Sequence, residues 1–294
     1  MDRLQIIGFI AALGSAASWA FCTVLFERIG KVIPYAGITF LKGLFSILLL
    51  AVIALLTGKI AELTFKEFLI LTSSGIIGIA IGDTLFFKSL QDLGAKVQVL
   101  YFMLGQIITM LLSFLLLGDV LSLMEYAGAL VLLLGIVLVT WGKQDDHPNK
   151  KRGIIGGFLS ILCFSVSTIM VKETIGGMDV LTATFYRMLF GTLAISLFGI
   201  TSKKISSWIK PLKEVKTLCL FVINVIVLTF GGFMLSMLAI KNISVSLASV
   251  LSTTEPIFVI LFAFLINKEY PRLRELAGTS ITIGGLLIII FNGT

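Results

Sequence analysis

Charged residues are scarce in this chain and make up only 13% of its 294 positions. Soluble globular proteins carry about 25% charged residues, so this sequence has too few to cover a surface that faces water. Hydrophobic residues account for 57% of the chain. These proportions exclude an ordinary soluble domain and favour an integral membrane protein.

Residues that build metal, redox and hydrolytic sites are also few. The chain has one histidine, His147, and three cysteines without CxxC spacing: Cys22, Cys163 and Cys219. We interpret the cysteines as small packing residues. No phosphate-binding glycine loop, HExxH or GxSxG pattern occurs. We therefore expect no metal, no cofactor and no enzymatic activity, and the absence of a Walker motif disfavours a nucleotide-driven pump.

Long apolar runs dominate what is present. A helix needs about 20 apolar residues to cross roughly 30 Å of hydrocarbon. Continuous runs of this length favour helices over barrel strands, whose segments are shorter and alternate in polarity. The sequence predicts ten spans, at residues 6–26, 35–57, 68–87, 95–117, 124–141, 153–171, 180–200, 218–239, 245–266 and 275–291. The first span lacks a clear cleavage site, so we do not expect a cleaved signal peptide.

The net charge of +7 is distributed unevenly between the loops. Of the 23 Lys and Arg residues, 16 fall on the face that holds the loop between spans one and two, whereas five fall on the opposite face. The positive-inside rule makes the first face cytoplasmic, so both termini are expected outside. The basic charge thus reflects membrane topology, and we expect no nucleic-acid partner.

The two halves of the chain resemble each other. Residues 82–140 align with 232–290 without a gap, and the alignment pairs Gly128 with Gly278 and Gly135 with Gly285. We predict a first repeat at 1–142, a cytoplasmic linker at 143–152 and a second repeat at 153–294. Five spans per repeat force the second copy upside down, as in secondary transporters that bind substrate between inverted halves.

Both repeats end in related segments, "FLLLGDVLSLMEYAGALVLLLGIVL" and "FLINKEYPRLRELAGTSITIGGLLI", and "TEP" precedes the second. With the five-plus-five arrangement, these segments resemble the EamA-type transporters of the drug/metabolite transporter superfamily over essentially the whole chain. The resemblance implies an all-α integral membrane fold of ten transmembrane helices, arranged as two inverted five-helix repeats. It also implies a central cavity lined by the first four helices of each repeat. The chain departs from the family at Gly105-Gln106, which stands opposite Glu255-Pro256, so we expect the halves to be non-equivalent.

Two cations lie inside predicted spans at matching places in the repeats. Lys42 follows Glu27 by 15 residues, and Arg187 follows Glu173 by 14 residues. Adjacent antiparallel helices would bring each pair to one membrane face, which predicts two ion pairs that position helices. The alternative is that one cation faces the cavity and binds a substrate carboxylate or phosphate.

Two acids also lie within spans. Asp83 either associates with Lys88 or acts as a gate or proton relay. Glu255 is the deepest acid and is either a hydrogen-bonded tether between helices or a proton-coupling group. Pro256 cannot donate to the carbonyl of Ser252, so we expect a kink there and assign Glu255 and Pro256 as coupling and hinge candidates.

Other polar and aromatic residues complete a predicted substrate cavity. The candidates are Trp19, Lys42, Asp83, Tyr101, Gln106, Thr168, Tyr186, Arg187, Asn224, Ser252 and Thr253. They would suit an amphipathic metabolite.

The sequence therefore predicts a secondary transporter of the plasma membrane. We expect it to export small organic metabolites, such as amino acids or related compounds, by alternating access, with protons as a possible coupling ion. The alternatives are an uptake carrier or a multidrug or cation extruder of the same fold. More remote alternatives are a non-transporting membrane scaffold and an intramembrane enzyme. Its partners would be a small-molecule substrate and the lipid bilayer, and the protein would be a monomer or a dimer.

Overall fold

A computed structural model describes residues 3–58, 61–119, 122–140, 150–268 and 273–292. All regular secondary structure in these ranges is helical. The first half contains α1 (Arg3–Ile29), α2 (Tyr35–Thr57), α3 (Phe65–Ser74), the π-helical segment π1 (Gly75–Asp83), α4 (Thr84–Leu93), α5 (Ala95–Leu117) and α6 (Leu123–Thr140). The second half contains α7 (Lys150–Ile175), α8 (Val180–Thr201), α9 (Ile205–Ile209), a 3₁₀ turn (Lys210–Lys213), α10 (Val215–Ile226), the π-helical segment π2 (Val227–Met234), α11 (Leu235–Asn242), α12 (Val245–Ser252), α13 (Glu255–Asn267) and α14 (Leu273–Asn292).

Each of the ten predicted spans coincides with one helix or with an unbroken series of helical segments, apart from the break in span nine. Within the described ranges, seven helices are long and apolar enough to cross a membrane. Two shorter apolar helices, Leu104–Leu117 and Tyr126–Gly135, lie in the fourth and fifth spans. The chain is therefore an all-α, multi-pass membrane protein, as predicted. His147 and most of the predicted linker lie outside the described residues.

Helix boundaries fall where the local sequence supplies caps. Thr64 and Glu67 form a reciprocal capping box at the start of α3, and the Ser244 hydroxyl caps α12. Such caps satisfy backbone N–H groups that the first helical turn leaves without partners. Gly94, at φ 78°, separates α4 from α5 with a backbone conformation that residues with a side chain rarely adopt.

The two π-helical segments occupy equivalent positions in the two halves. The alignment that pairs Gly82 with Gly232 places π1 opposite π2. Extended π-helical geometry is uncommon, and single π-turns concentrate at functional sites. Its occurrence at matching positions supports the internal repeat independently of residue identity.

The fifth helix of each half, α6 and α14, packs against the other. Their contact centres on glycines that the sequence alignment pairs. A Cβ atom added at Gly135 would lie 2.7 Å from the Gly278 carbonyl oxygen, and one at Gly285 would lie 2.7 Å from the Gly128 carbonyl oxygen. The absence of side chains at these positions lets the two backbones approach closely.

The ninth span is broken, whereas its counterpart α5 is continuous. Helix α12 ends at Ser252, and α13 begins at Glu255 with Pro256 in its first turn. The Thr253 and Thr254 hydroxyls donate to the carbonyls of Val250 and Leu251 at 2.6 and 2.7 Å. The helix is thus interrupted at Thr253 and Thr254, just before the Pro256 at which a kink was predicted, and the two fourth helices differ as expected.

Candidate functional site

A cavity of about 110 Å³ lies between the two halves. Its walls come from α1, π1 and α5 of the first half and from α7, α8, π2, α11, α12 and the start of α13 of the second. These are the first, third and fourth spans of the first repeat and the first four spans of the second. The cavity therefore lies where an inverted-repeat carrier holds its substrate.

One wall of the cavity is aromatic. The Trp19 ring packs edge-on against Phe233 with a centroid separation of 5.2 Å, and Phe102 lies 6.5 Å from Trp19. Phe164 adds a further ring to the lining. Together these rings offer a rigid apolar surface to part of a bound solute.

Arg187 brings a buried positive charge to the cavity from α8. Its side chain is nearly inaccessible, and its Nη2 donates to the Ser167 hydroxyl at 2.8 Å. Nη1 lies 3.2 Å from the Met237 sulfur, and Nε has no hydrogen-bond partner among the described residues. The Ser167 hydroxyl in turn donates to the Ser74 carbonyl at 2.9 Å. This arrangement holds the guanidinium in place and leaves part of its donor capacity available.

The predicted pair between Glu173 and Arg187 is wrong. Glu173 pairs with Lys66 instead, at 3.5 Å, and both side chains are more than half exposed. Glu173 is accessible to solvent near the end of α7, so it has no need of a buried partner. The position of Arg187 matches the alternative prediction, that one of the two cations faces the cavity.

The predicted pair between Glu27 and Lys42 is also wrong. Lys42 on α2 forms an ion pair with Asp83, the last residue of π1, and both side chains are completely buried. Asp83 therefore pairs across helices rather than with Lys88 on its own span. The Lys42 ammonium also lies 4.6 Å from the centroid of the Phe233 ring. A charge this deeply buried requires a buried counter-charge, which only the long-range packing of α2 on π1 supplies.

Glu255 brings a buried acid to the lining of the same cavity. It is 2% exposed, and its Oε2 atom has no hydrogen-bond partner within the described ranges. The Thr23 side chain on α1 lies beside the carboxyl group. Because α13 begins at Glu255, the carboxyl also lies in the first turn of a helix, where a negative charge is favoured.

Six of the predicted cavity and coupling residues line this space: Trp19, Gln106, Thr168, Arg187, Ser252 and Glu255. The others do not belong to the lining, and their contacts explain their positions. Lys42 and Asp83 pair with each other. Tyr101 packs against Gly157, and Tyr186 stacks on Phe190 with a centroid separation of 6.0 Å.

Asn224, Thr253 and Pro256 serve helix contacts rather than the lining. The Asn224 amide donates to the Cys22 carbonyl at 3.3 Å, while the Cys22 thiol donates to the Asn224 carbonyl at 3.4 Å. These bonds join α10 to α1. The Thr253 hydroxyl donates to a backbone carbonyl at the end of α12, and Pro256 lies in the first turn of α13.

Sequence reasoning did not identify several residues that shape the site. Met237 and Thr23 contact or adjoin the buried charges, and Phe102 and Phe233 belong to the aromatic wall. Thr23 follows Trp19 by one helical turn and lies on the same face of α1, so its place near the cavity could have been predicted from this spacing. The remainder carry no local signal, because methionine and phenylalanine are ordinary packing residues of membrane helices.

Comparison with known proteins agrees with this architecture. An uncharacterized transporter of Synechocystis sp. is 27% identical over 241 residues, covering 80% of this chain and 69% of that protein. An uncharacterized transporter of Archaeoglobus fulgidus is 22% identical over 288 residues, covering 97% and 98% respectively. A solved crystal structure that is 18% identical superposes with a TM-score of 0.73 over 99% of this chain and 96% of that one, which shows the fold.

The family profile matches twice, once in each half of the chain. The matched residues, 6–141 and 151–291, include the cavity and both buried charges that line it. The chain therefore belongs to the EamA-like transporter family and is a multi-pass membrane transporter.

Proposed function

We propose that this transporter is a secondary carrier of the plasma membrane that exports amino acids or closely related metabolites by alternating access. The supporting observation is that one cavity presents a buried cation and a buried acid, each with an atom that lacks a hydrogen-bond partner among the residues that the structure describes. Unpaired buried charges are costly, so a ligand that neutralises both is favoured. A zwitterion carries the two complementary charges.

Each part of an amino acid has a matching surface in this cavity. Arg187 takes the carboxylate, because a guanidinium binds carboxylates through paired N–H donors. Glu255 takes the ammonium group. An apolar or aromatic side chain packs against Trp19 and its neighbouring phenylalanines. The limited cavity volume of about 110 Å³ favours a small solute over a bulky drug.

Glu255 also provides a way to couple export to protons. A carboxyl group cannot hold a proton and pair with a substrate ammonium at the same time, so the two compete. Competition for one site is the requirement for antiport of a proton and an amino acid. An inward proton gradient would then drive the amino acid outward.

The test is transport by purified protein in liposomes, measured with radiolabelled amino acids with and without a pH gradient. We expect saturable transport that Arg187→Gln weakens about 10- to 100-fold, since a hydrogen bond to a charged group is worth about 1.5–3 kcal/mol. Tyr186→Phe, the neighbouring position outside the lining, is the matched control and should transport normally. Absence of transport under every gradient, or full activity of Arg187→Gln, would overturn the proposal.

A second measurement tests the coupling role. Glu255→Gln should weaken transport, because it removes the partner of the substrate ammonium, and the transport that remains should be insensitive to the imposed pH gradient. Glu214→Gln, on an exposed loop, should change neither. Wild-type transport that ignores the gradient would remove the proton role. Efflux from preloaded cells that express the protein distinguishes export from the alternative of uptake.

A further inference from the structure

The buried charges around the cavity are unevenly paired. Lys42 and Asp83 form one ion pair, whereas Arg187 and Glu255 face the cavity without a protein counter-ion within ion-pair distance among the described residues. Asp83 uses only one of its carboxylate oxygens, since Oδ1 has no hydrogen-bond partner in the described part of the chain. One free carboxylate oxygen and one guanidinium with a free N–H are thus both buried near the same cavity.

The π1 segment ends at Asp83 and contacts Arg187 through its glycines. Gly75 abuts the backbone of Arg187, and a Cβ atom added at Gly78 would lie 3.6 Å from Arg187 Nη2. Gly78 and Asp83 are five residues apart, which is the hydrogen-bond spacing of a π-helix, so they lie on neighbouring turns of one face.

A carrier of this type faces a problem on its return step. With a substrate bound, the ligand carboxylate neutralises Arg187. Without a substrate, the empty cavity must close around a guanidinium that has no counter-ion, and burying an unpaired charge costs several kcal/mol. An empty carrier therefore needs an internal anion that substitutes for the substrate.

We propose that Asp83 is this internal counter-ion, pairing with Arg187 through Oδ1 while the empty carrier reorients and releasing it when a substrate carboxylate arrives. Lys42 holds Asp83 through the other oxygen and keeps it ionised and in place. Asp83 is thus a positioning residue that permits the return of the unloaded protein. This inference rests on the proposed transport of a carboxylate-bearing solute.

The transport test separates net efflux from exchange. Exchange of internal for external amino acid uses only loaded carriers, whereas net efflux needs the empty carrier to return. We expect Asp83→Asn to reduce net efflux from liposomes by at least about tenfold, the effect of 1.4 kcal/mol, while exchange stays within about twofold of wild type. Equal loss of both activities, or no loss of either, would overturn the role of Asp83.

Two further variants separate this role from a structural ion pair. If Asp83 serves only to neutralise Lys42, the double variant Lys42→Met with Asp83→Asn restores net efflux, since neither charge remains. If Asp83 serves Arg187, the double variant remains limited to exchange. Asp83→Glu keeps the carboxylate and should retain more net efflux than Asp83→Asn.

A measurement without substrate keeps the inference independent of the transport assay. Thermal unfolding in detergent is compared for wild type, Asp83→Asn, Arg187→Gln and the double variant, in the absence of amino acid. We expect the effects to be non-additive, because each variant alone leaves the other charge without its partner. Additive shifts in Tm would contradict the pairing of Asp83 with Arg187, even if transport of amino acids is confirmed. Non-additive shifts in a protein that transports no amino acid would count against the proposed substrate but not against the pairing.

Discussion

At the scale of single residues, burial decides what an ion pair contributes. Lys42 and Asp83 are both inaccessible, whereas Lys66 and Glu173 are 73% and 55% exposed. Water solvates either member of the exposed pair when its partner is removed. No water is available to Asp83 when Lys42 is removed, so the loss leaves a buried charge uncompensated.

This contrast predicts different costs for two matched substitutions. Lys42→Met should lower the free energy of unfolding by about 3–5 kcal/mol, the range for breaking one side of a buried pair. Lys66→Met should change it by less than about 1 kcal/mol. Thermal unfolding of the purified variants in detergent checks both values. Similar Tm values for Lys42→Met and Lys66→Met would show that the Lys42–Asp83 contact contributes little.

At the scale of helices, close approach between α6 and α14 depends on individual glycines. A Cβ atom at Gly285 would meet backbone atoms of α6, which cannot move aside as a side chain can. A Cβ atom at the adjacent Gly284 would meet no atom of the described residues within 4 Å, apart from its own chain neighbours and helix backbone. Two neighbouring glycines on one helix therefore have opposite roles.

We predict that Gly285→Ala separates α6 from α14 and lowers Tm by several degrees. Gly284→Ala should keep or raise Tm, because alanine favours a helix by about 1 kcal/mol relative to glycine. Differential scanning fluorimetry in detergent compares the two. Equal tolerance of both substitutions would mean that α6 and α14 do not pack as closely as described.

At the scale of the whole molecule, the distribution of Lys and Arg predicts the orientation of the fold. A fluorescent protein that matures only in the cytoplasm should be dark when it is fused after Thr294, because both termini are expected outside. The same reporter inserted in the linker 143–152 should fluoresce and is the control for expression. Fluorescence of the C-terminal fusion with a dark linker insertion would show the opposite orientation.

Much of the architecture follows from local properties of the sequence. The ten spans are visible because a helix across a bilayer must be apolar over about 20 residues, whatever it packs against. The break between α12 and α13 is visible because Pro256 lacks an N–H group in any context. The aligned glycines mark the repeat, and the structure shows that Gly135 meets Gly278 and Gly285 meets Gly128 across it.

The partners of the buried charges were decided by tertiary structure alone. Lys42 pairs with Asp83, which is 41 residues away in the sequence. Arg187 contacts Ser167 rather than Glu173, its predicted partner. Sequence separation made Glu27 and Glu173 the natural partners, but the faces that helices present to each other depend on packing across the whole molecule. Apolar length and helix breakers therefore determined the spans from sequence, whereas long-range packing determined which charges are paired and which are left to face the cavity.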